Sequence, residues 1–249
     1  MNVLVIGDSC NDVFVYGSVE RMAPEGPAPV LLPCRTVTNG GMALNVQNNV
    51  RAMGFNCDII TQKEIITKTR YVDERTNYLL LRIDENDRAS QIDNKVLNSI
   101  INNHFNNNYY DAIIISDYCK GFLQENDIEV LSKNNKNVFL DTKKILESWC
   151  KFVDYIKINN TEYDRTQHTI HKLNINDKLI ITRSEKGCEY MGNIYPVRKV
   201  NIKDLSGAGD TFISGLVCEW LKSNDIVKAI DFAQDCAARV VEKKGVCTI

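Results

Sequence analysis

The residues best suited to chemistry lie near the C-terminus, in Asp204-Leu205-Ser206-Gly207-Ala208-Gly209-Asp210-Thr211-Phe212, directly ahead of an apolar helical pattern. Glycines let main chain approach a ligand closely, and the free N–H groups at a helix N-terminus attract anions. An aspartate placed there can take the proton of an attacking hydroxyl while the amides hold the charge that builds on a transferred phosphoryl group. The other reading of the same residues is an ordinary Gly-rich turn with Asp210 as an N-cap or first-turn acid. The sequence holds no G-x-x-x-x-G-K-[ST], which excludes a P-loop. A second group is Asn39-Gly40-Gly41-Met42-Ala43-Leu44-Asn45. Its Gly pair lets main chain pass close to a polar substrate, and Asn45 can both donate to and accept from hydroxyls. Asp12 adds an acceptor-only carboxylate of the kind that grips vicinal hydroxyls; by itself it would also serve as a turn residue.

Those residues need a frame. Short Val- and Ile-rich runs at residues 3–6, 112–115, 138–140 and 179–182 predict buried strands, and they alternate with helical patterns at 43–53, 93–105, 125–134, 209–222 and 225–243. That alternation is the mark of an α/β fold with a mostly parallel sheet between helices. In the last helix Ile226, Ala229, Ile230, Ala233, Ala237 and Val240 recur at threes and fours, so they form one core-facing stripe. Residues 13–37 and 68–83 break the rhythm, alternating polar and apolar side chains as half-exposed strands do. The run Tyr78-Leu79-Leu80-Leu81-Arg82-Ile83 is apolar enough to require a partner, either the core, a ligand-covering lid or a second subunit. The Asn-rich residues 102–108 read as a helix end running into a surface turn.

The chain's 249 residues suffice for one sizeable core, so residues 1–249 are expected to form a single domain. A net charge of −2 with Lys and Arg scattered argues against nucleic acid as a partner. No apolar run approaches the ~20 residues that span a bilayer, and the N-terminus lacks a basic leader, so no membrane association is expected. Nine cysteines without a C-x-x-C pair predict reduced, mostly buried thiols and a cytoplasmic location.

Taken in order, Asp12, Gly40-Gly41 with Asn45, Asn159-x-x-Glu162, Thr182-Arg183-Ser184-x-x-Gly187 and Gly207-Ala208-Gly209-Asp210 resemble the ribokinase/PfkB carbohydrate kinases. The segments Arg21–Val30, Ser116-Asp117-Tyr118-Cys119-Lys120-Gly121, Asp141-Thr142-Lys143, Thr182–Gly187 and Asp204–Thr211 are similar to the kinase domain of the bifunctional heptose enzymes of ADP-heptose synthesis. The resemblance runs from residue 3 to about 249. It implies a three-layer α/β/α core with a small β lid, formed here by 13–37 and 68–83, that closes over a sugar and in many members joins two subunits into a homodimer. It implies that Asp210 is the base and that Gly207, Ala208 and Gly209 form the anion hole. Asp12, Gly40, Gly41 and Asn45 would hold the sugar. Asn159 and Glu162 would help organise Mg²⁺ and its waters beside the ATP phosphates, with Glu162 acting on the metal through water, and Thr182, Ser184 and Gly187 would border the nucleotide. Lys120 and Lys143 would contact phosphates, and Arg70 and Arg82 would meet a phosphate already on the substrate; plain surface charge is the alternative for all four.

The implied substrate is a sugar or sugar phosphate, foremost D-glycero-D-manno-heptose 7-phosphate, with another hexose or keto-sugar, or a non-catalytic sensor on the same scaffold, as alternatives. Three departures stand out. After residues 57–60 the chain reaches Thr67 within a few residues, where the family continues with a turn, a helix and a strand. Gln234 stands where such kinases tend to have an asparagine beside the adenine. The sequence stops at Ile249, so the appended nucleotidyltransferase domain of bifunctional relatives is expected to be absent.

Overall fold

Side chains in the apolar runs alternate between two separate hydrophobic layers, which is why the runs show no polar face. In β1 (Asn2–Gly7), Leu4 and Ile6 enter one layer while Val3 and Val5 enter the other. The same division recurs in β7 (Ala112–Asp117), where Ile113 and Ile115 oppose Ala112 and Ile114, and in β8 (Val138–Thr142), where Val138 and Leu140 oppose Phe139. A strand covered on both faces reads as continuously apolar. The computed structural model describes the backbone of residues 1–107 and 109–249, and side chains outside 103–108.

Among the described residues, β4 (Asn56–Ile60), β1, β7, β8, β9 (Tyr155–Asn159) and β10 (Leu179–Thr182) pair in parallel, in that spatial order. The strands β11 (Cys188–Tyr190) and β12 (Asn193–Tyr195) continue the sheet antiparallel, making it eight-stranded. One face carries α2 (Asn94–Asn107), α3 (Glu125–Asn134) and α4 (Asn160–Leu173) through Leu97, Ile100, Ile128, Leu131 and Ile170. The other carries α1 (Ala43–Ala52), α5 (Ala208–Ser223) and α6 (Ile226–Val241). The expected stripe of α6 faces inward, with Ala229, Ile230, Ala233 and Val240 buried and Ile226 and Ala237 packed at its margin. Of the Asn-rich segment, α2 runs to Asn107, and the turn expected at Asn108 lies outside the described residues.

The two alternating stretches form a separate four-stranded sheet, as the lid expectation required, with wider limits than the pattern suggested. A hairpin of β2 (Ser9–Met22) and β3 (Pro29–Met42) pairs antiparallel, β5 (Thr67–Asp73) joins β2 in parallel, and β6 (Leu79–Glu85) flanks β5. Between β4 and β5 lie only residues 61–66, and Gln62 makes that short path possible. Its side-chain amide accepts from Ser9 N–H (3.0 Å) and donates to Ser9 C=O (2.7 Å), standing in for a neighbouring strand. β9 and α4 escaped the periodicity reading because Lys157 interrupts the apolar run of β9. All nine cysteines are free, six of them buried, and among the described residues no helix is long and apolar enough to cross a membrane.

Position of α5 depends on close contact with α6, where a methyl at Gly215 would lie 3.2 Å from Ala233 Cα. Gly215→Val is therefore expected to force the helices apart and to lower unfolding free energy by about 1–3 kcal/mol, measured by urea denaturation.

Candidate active site

Five parallel strands end at one edge of the large sheet, and the polar residues collect just beyond their C-termini, as open α/β sheets favour. Asp8 follows β1, Tyr118 follows β7, Lys143 follows β8, Asn159 closes β9 and Ser184 lies past β10. Asp210 enters the same space from the first turn of α5 and is 4% exposed. Its Oδ2 accepts from Asn45 Nδ2 at 2.9 Å and its Oδ1 accepts from the Tyr118 hydroxyl at 2.7 Å. Burial drives the carboxyl up, the Asn45 and Tyr118 donors pull it back, and the result lies at about 6. That value suits a base working near neutrality.

The amides ahead of Asp210 are shaped by Gly207, which caps α5 with φ 81°, a left-handed conformation that costs glycine nothing. A methyl there would also strike Asn45 Nδ2 at 2.7 Å. Ala208 N–H reaches back to Leu205 O and Thr211 N–H to Gly207 O, while the N–H groups of Gly207, Gly209 and Asp210 have no partner among the described residues. Beneath them Lys157 and Asp141 form a buried ion pair of 2.8 Å, and Lys157 Nζ lies 3.0 Å from where a methyl on Gly209 would sit. The helix end thus offers open donors backed by a buried cation, a suitable environment for a phosphoryl group.

Tyr118 is the functional residue that sequence reasoning quoted without assigning a role. Asp8 fixes it, accepting from the N–H groups of Tyr118 (2.8 Å), Lys120 (3.1 Å) and Phe122 (3.3 Å). Asp117 braces the same turn through Thr142 Oγ1 (2.6 Å) and Lys144 Nζ (3.2 Å). Desolvation, followed by the charge of Asp210, holds the Tyr118 phenol well above its ordinary value, so it remains a donor. Asp141 was likewise quoted without a role, and Lys157 and Asp8 were unmarked; Asp8 directly follows β1, whereas Asp141 and Lys157 are polar residues within β8 and β9.

On the lid side, Asp12 is buried and paired with Arg70. Gly41 is required there because a methyl would lie 2.2 Å from Asp12 Oδ2 and 2.7 Å from Cys10 Sγ, whereas one at Gly40 would face Leu44 instead. The Cys10 thiol is pushed up to about 12 by burial first, then by Asp12, with Asp210 adding to the rise and Lys68 and Arg70 opposing it. Arg70 and Arg82 stand opposite each other across β5 and β6. Arg82 grips Asp84 with two bonds of 2.6 Å and is more exposed. Lys120 pairs with Asp87, which Lys68 also approaches at 3.7 Å.

On the opposite side, Asn159 and Glu162 form a reciprocal capping box at the start of α4. Glu162 Oε2 accepts from Asn159 N–H (2.7 Å), and Oε1 accepts from Asn159 Nδ2 (2.9 Å) and the Lys143 ammonium. Burial alone would depress Lys143, but Asp141, Glu162 and Asp210 outweigh it and hold the ammonium above its ordinary value. Thr182 registers beside Asn159, and Ser184 and Gly187 shape the turn that follows. A methyl at Gly187 would lie 2.8 Å from Gln234 Oε1, a buried acceptor with no partner among the described residues. An exocyclic amine of a purine fits that orphan. The described residues contain no group of three acidic, His or Cys side chains that could hold a metal. With both Glu162 oxygens engaged, the residues fit a cation that arrives with nucleotide phosphates and meets the protein through water.

The sequence-derived residues therefore gather into a lid-side group, a central buried carboxylate and a strand-edge group, with Tyr118 bonded to Asp210 and its ring centroid 5.0 Å from Lys143 Nζ. Tyr118→Phe removes a donor that stabilises the Asp210 carboxylate, so the Asp210 pKa must rise. The acid limb of kcat/KM is expected to move upward by about one pH unit, read from a pH–rate profile.

Known proteins share this chain's sequence pattern and fold. Bifunctional protein HldE of Helicobacter pylori (strain J99) is 29% identical over 295 aligned positions, covering 98% of this chain and 63% of that protein. Bifunctional protein HldE of Rhodopseudomonas palustris (strain BisB5) is 26% identical, covering 99% of this chain and 61% of that protein. The chain thus spans less than two thirds of the length of these relatives. Ribokinase from Thermotoga maritima superposes with a TM-score of 0.72 at 14% identity over 98% of this chain and 94% of that one. Phosphofructokinase-2 from Escherichia coli superposes at 0.73 with 11% identity over 99% and 94%. Both show the same ribokinase-like α/β fold with its small lid sheet. A profile of the pfkB family carbohydrate kinases matches residues 55–249, and the chain belongs to that family.

Proposed function

We propose that residues 1–249 act as one kinase domain that moves the γ-phosphoryl group of ATP onto a sugar phosphate, D-glycero-D-manno-heptose 7-phosphate, at its anomeric hydroxyl, giving the 1,7-bisphosphate. The observation that carries the reading is the buried Asp210 carboxylate beside unpartnered amides at the start of α5. The choice of a heptose phosphate rests on the sequence similarity to the HldE proteins and on the cationic residues of the lid side.

In this reading Asp12, Gly41 and Asn45 hold the acceptor, and Arg70, Arg82 and Lys120 receive its phosphate. Asp210 takes the acceptor hydroxyl proton as the new O–P bond forms and the bond to the β-phosphate oxygen breaks, releasing ADP. The open amides of Gly207, Gly209 and Asp210, backed by Lys157, stabilise the phosphoryl charge; Ala208, expected to join them, already donates its N–H to Leu205 O. Asn159, Glu162, Lys143, Thr182, Ser184 and Gly187 hold the nucleotide. Mg²⁺ would neutralise the phosphates, with Glu162 fixing its waters. Lid closure excludes water, so that transfer prevails over hydrolysis. The outer face of the lid leaves Leu81 54% and Ile83 40% exposed, which supports a homodimer paired through that face.

A sugar- or nucleotide-binding sensor is the second reading, favoured by the donors already on both Asp210 oxygens. Coupled ADP release over a panel of sugars and sugar phosphates separates the two. The kinase reading expects sugar-dependent turnover that Asp210→Asn lowers by about 10²- to 10⁴-fold in kcat. The same variant should be more stable than the native chain. Raising the folded-state pKa from 3.8 to about 6 removes stability as pH climbs through that window, about 3 kcal/mol once Asp210 is charged. The gain on urea unfolding should thus be small at pH 4 and full above pH 7; retained turnover would sink the assigned base. For the dimer, Leu81→Lys is expected to halve the mass seen by light scattering at micromolar concentration, and a monomeric native protein would refute lid pairing.

A further inference from the structure

Asn49 lies one turn beyond Asn45 on α1 and is wholly buried. Its Nδ2 donates to the main-chain oxygen of Asn45 at 2.9 Å and to Asn45 Oδ1 at 3.1 Å. A main-chain oxygen only accepts, so the nitrogen end of the Asn49 amide must face it, and both protons of that nitrogen are then engaged. The atom of Asn45 that meets the second proton must be an acceptor in its turn. This fixes Asn45 Oδ1 toward Asn49 and Asn45 Nδ2 toward Asp210 Oδ2, at 2.9 Å. The direction of every bond in the chain thus descends from one carbonyl that cannot change its role.

Turned by half a rotation, the Asn45 amide would set its nitrogen against that of Asn49, donor to donor, and its oxygen against Asp210 Oδ2. The second contact is a hydrogen bond only when Asp210 carries a proton. An Asn45 free to turn would bond the charged and the neutral acid alike, which favours the neutral acid more than the native arrangement does. Asn49 removes that freedom. Packing does not account for the residue, because its own Oδ1 is buried with no partner among the described residues. An apolar side chain of the same size would carry no such cost. The other groups that face Asp210 belong to other elements and do not involve residue 49: Tyr118 beyond β7, Asp141 in β8, Lys143 beyond β8, Lys157 in β9 and Cys10 in β2.

We infer that Asn49 is a positioning residue: it holds the Asn45 amide with its nitrogen toward Asp210, so that Asn45 stays a donor whether or not the carboxyl carries a proton. The inference rests on the kinase reading for its consequence, since a base must regain its charge in every turnover, while the relay of bonds stands on geometry.

Two readouts test it with Asn49→Leu, which keeps the size and removes the donor. The first needs no turnover. The stability gained by Asp210→Asn grows with pH up to the folded-state pKa of Asp210, about 6 in the native chain, and then levels off. In the Asn49→Leu background, urea unfolding should place that levelling about half a unit to one unit higher, the shift made by one hydrogen bond to the neutral acid. The second readout is the pH–rate profile with a sugar phosphate that the native protein phosphorylates. Here kcat/KM should fall about three- to tenfold at pH 5 and stay nearly unchanged at pH 8. A merely structural Asn49 would lower kcat/KM by one factor at every pH with the acid limb unmoved, and that result overturns the inference, as does an unshifted levelling. Should Asn49→Leu fail to fold by circular dichroism, Asn49→Ala decides on the same terms; if neither folds, Asn49 serves stability and the inference falls. A native protein that phosphorylates no sugar defeats the kinase reading, and the unfolding measurement still judges the relay.

Discussion

A carboxylate that is shut away from water and must still be able to ionise faces two opposed demands, and both act on Asp210. Burial favours the neutral acid, and only the donors from Asn45 and Tyr118 return it to about 6. Each donor comes from a different part of the fold. Asn45 sits in the first turns of α1, which packs beside α5, where Ser214 Oγ bonds Val46 O at 3.2 Å. Tyr118 comes from the turn after β7 that Asp8, at the end of β1, holds with three N–H bonds. Two central strands and two helix N-termini must therefore converge before the acid has its working environment.

Several charges of the site are matched by partners from other elements. Asp12 meets Arg70, Asp141 meets Lys157, Glu162 meets Lys143 and Asp87 meets Lys120. Such pairs add little net stability when their desolvation is counted, but they fix geometry. A ligand entering a site of this kind exchanges partners and does not meet bare charge. The Lys157–Asp141 pair differs from the others because it lies wholly inside, behind Gly209, where it acts on the field at the helix end without meeting solvent.

Much of this was legible in the sequence, for reasons that particular residues make plain. The strands at β1, β7, β8 and β10 were readable because both faces are apolar, so no register needed to be known. β9 was not, since Lys157 occupies a core position that only Asp141, from the adjacent strand, makes tolerable. Asp210 was legible because glycines and an acid ahead of a helical pattern restrict the local backbone to few uses. Asp12 and Arg70 were both singled out, yet their union was hidden. It depends on β5 lying parallel to β2, with Arg70 beside Phe14, a long-range register that no local pattern encodes. Asn159-x-x-Glu162 was marked only through the family resemblance, and the structure makes it a capping box whose acid also holds Lys143.

The short passage from β4 to β5 touches both the lid and the centre of the site. The hydrogen bonds to Asp210 come from α1 and from the turn after β7, while Ile66, at the end of the passage, packs with Cys10 and Met42 against Tyr118. The lid is affected differently. Its β5 strand follows directly on that passage, and Glu64, Ile65, Asn86, Asp87 and Arg88 line an open cavity of about 740 Å³ beside it. Asp87 joins this cavity to Lys120 and Lys68, the cations of the lid side. The passage therefore bears on both ends of the site, on the lid cations through the cavity that Asp87 lines and on the surroundings of Asp210 through the packing of Ile66 against Tyr118.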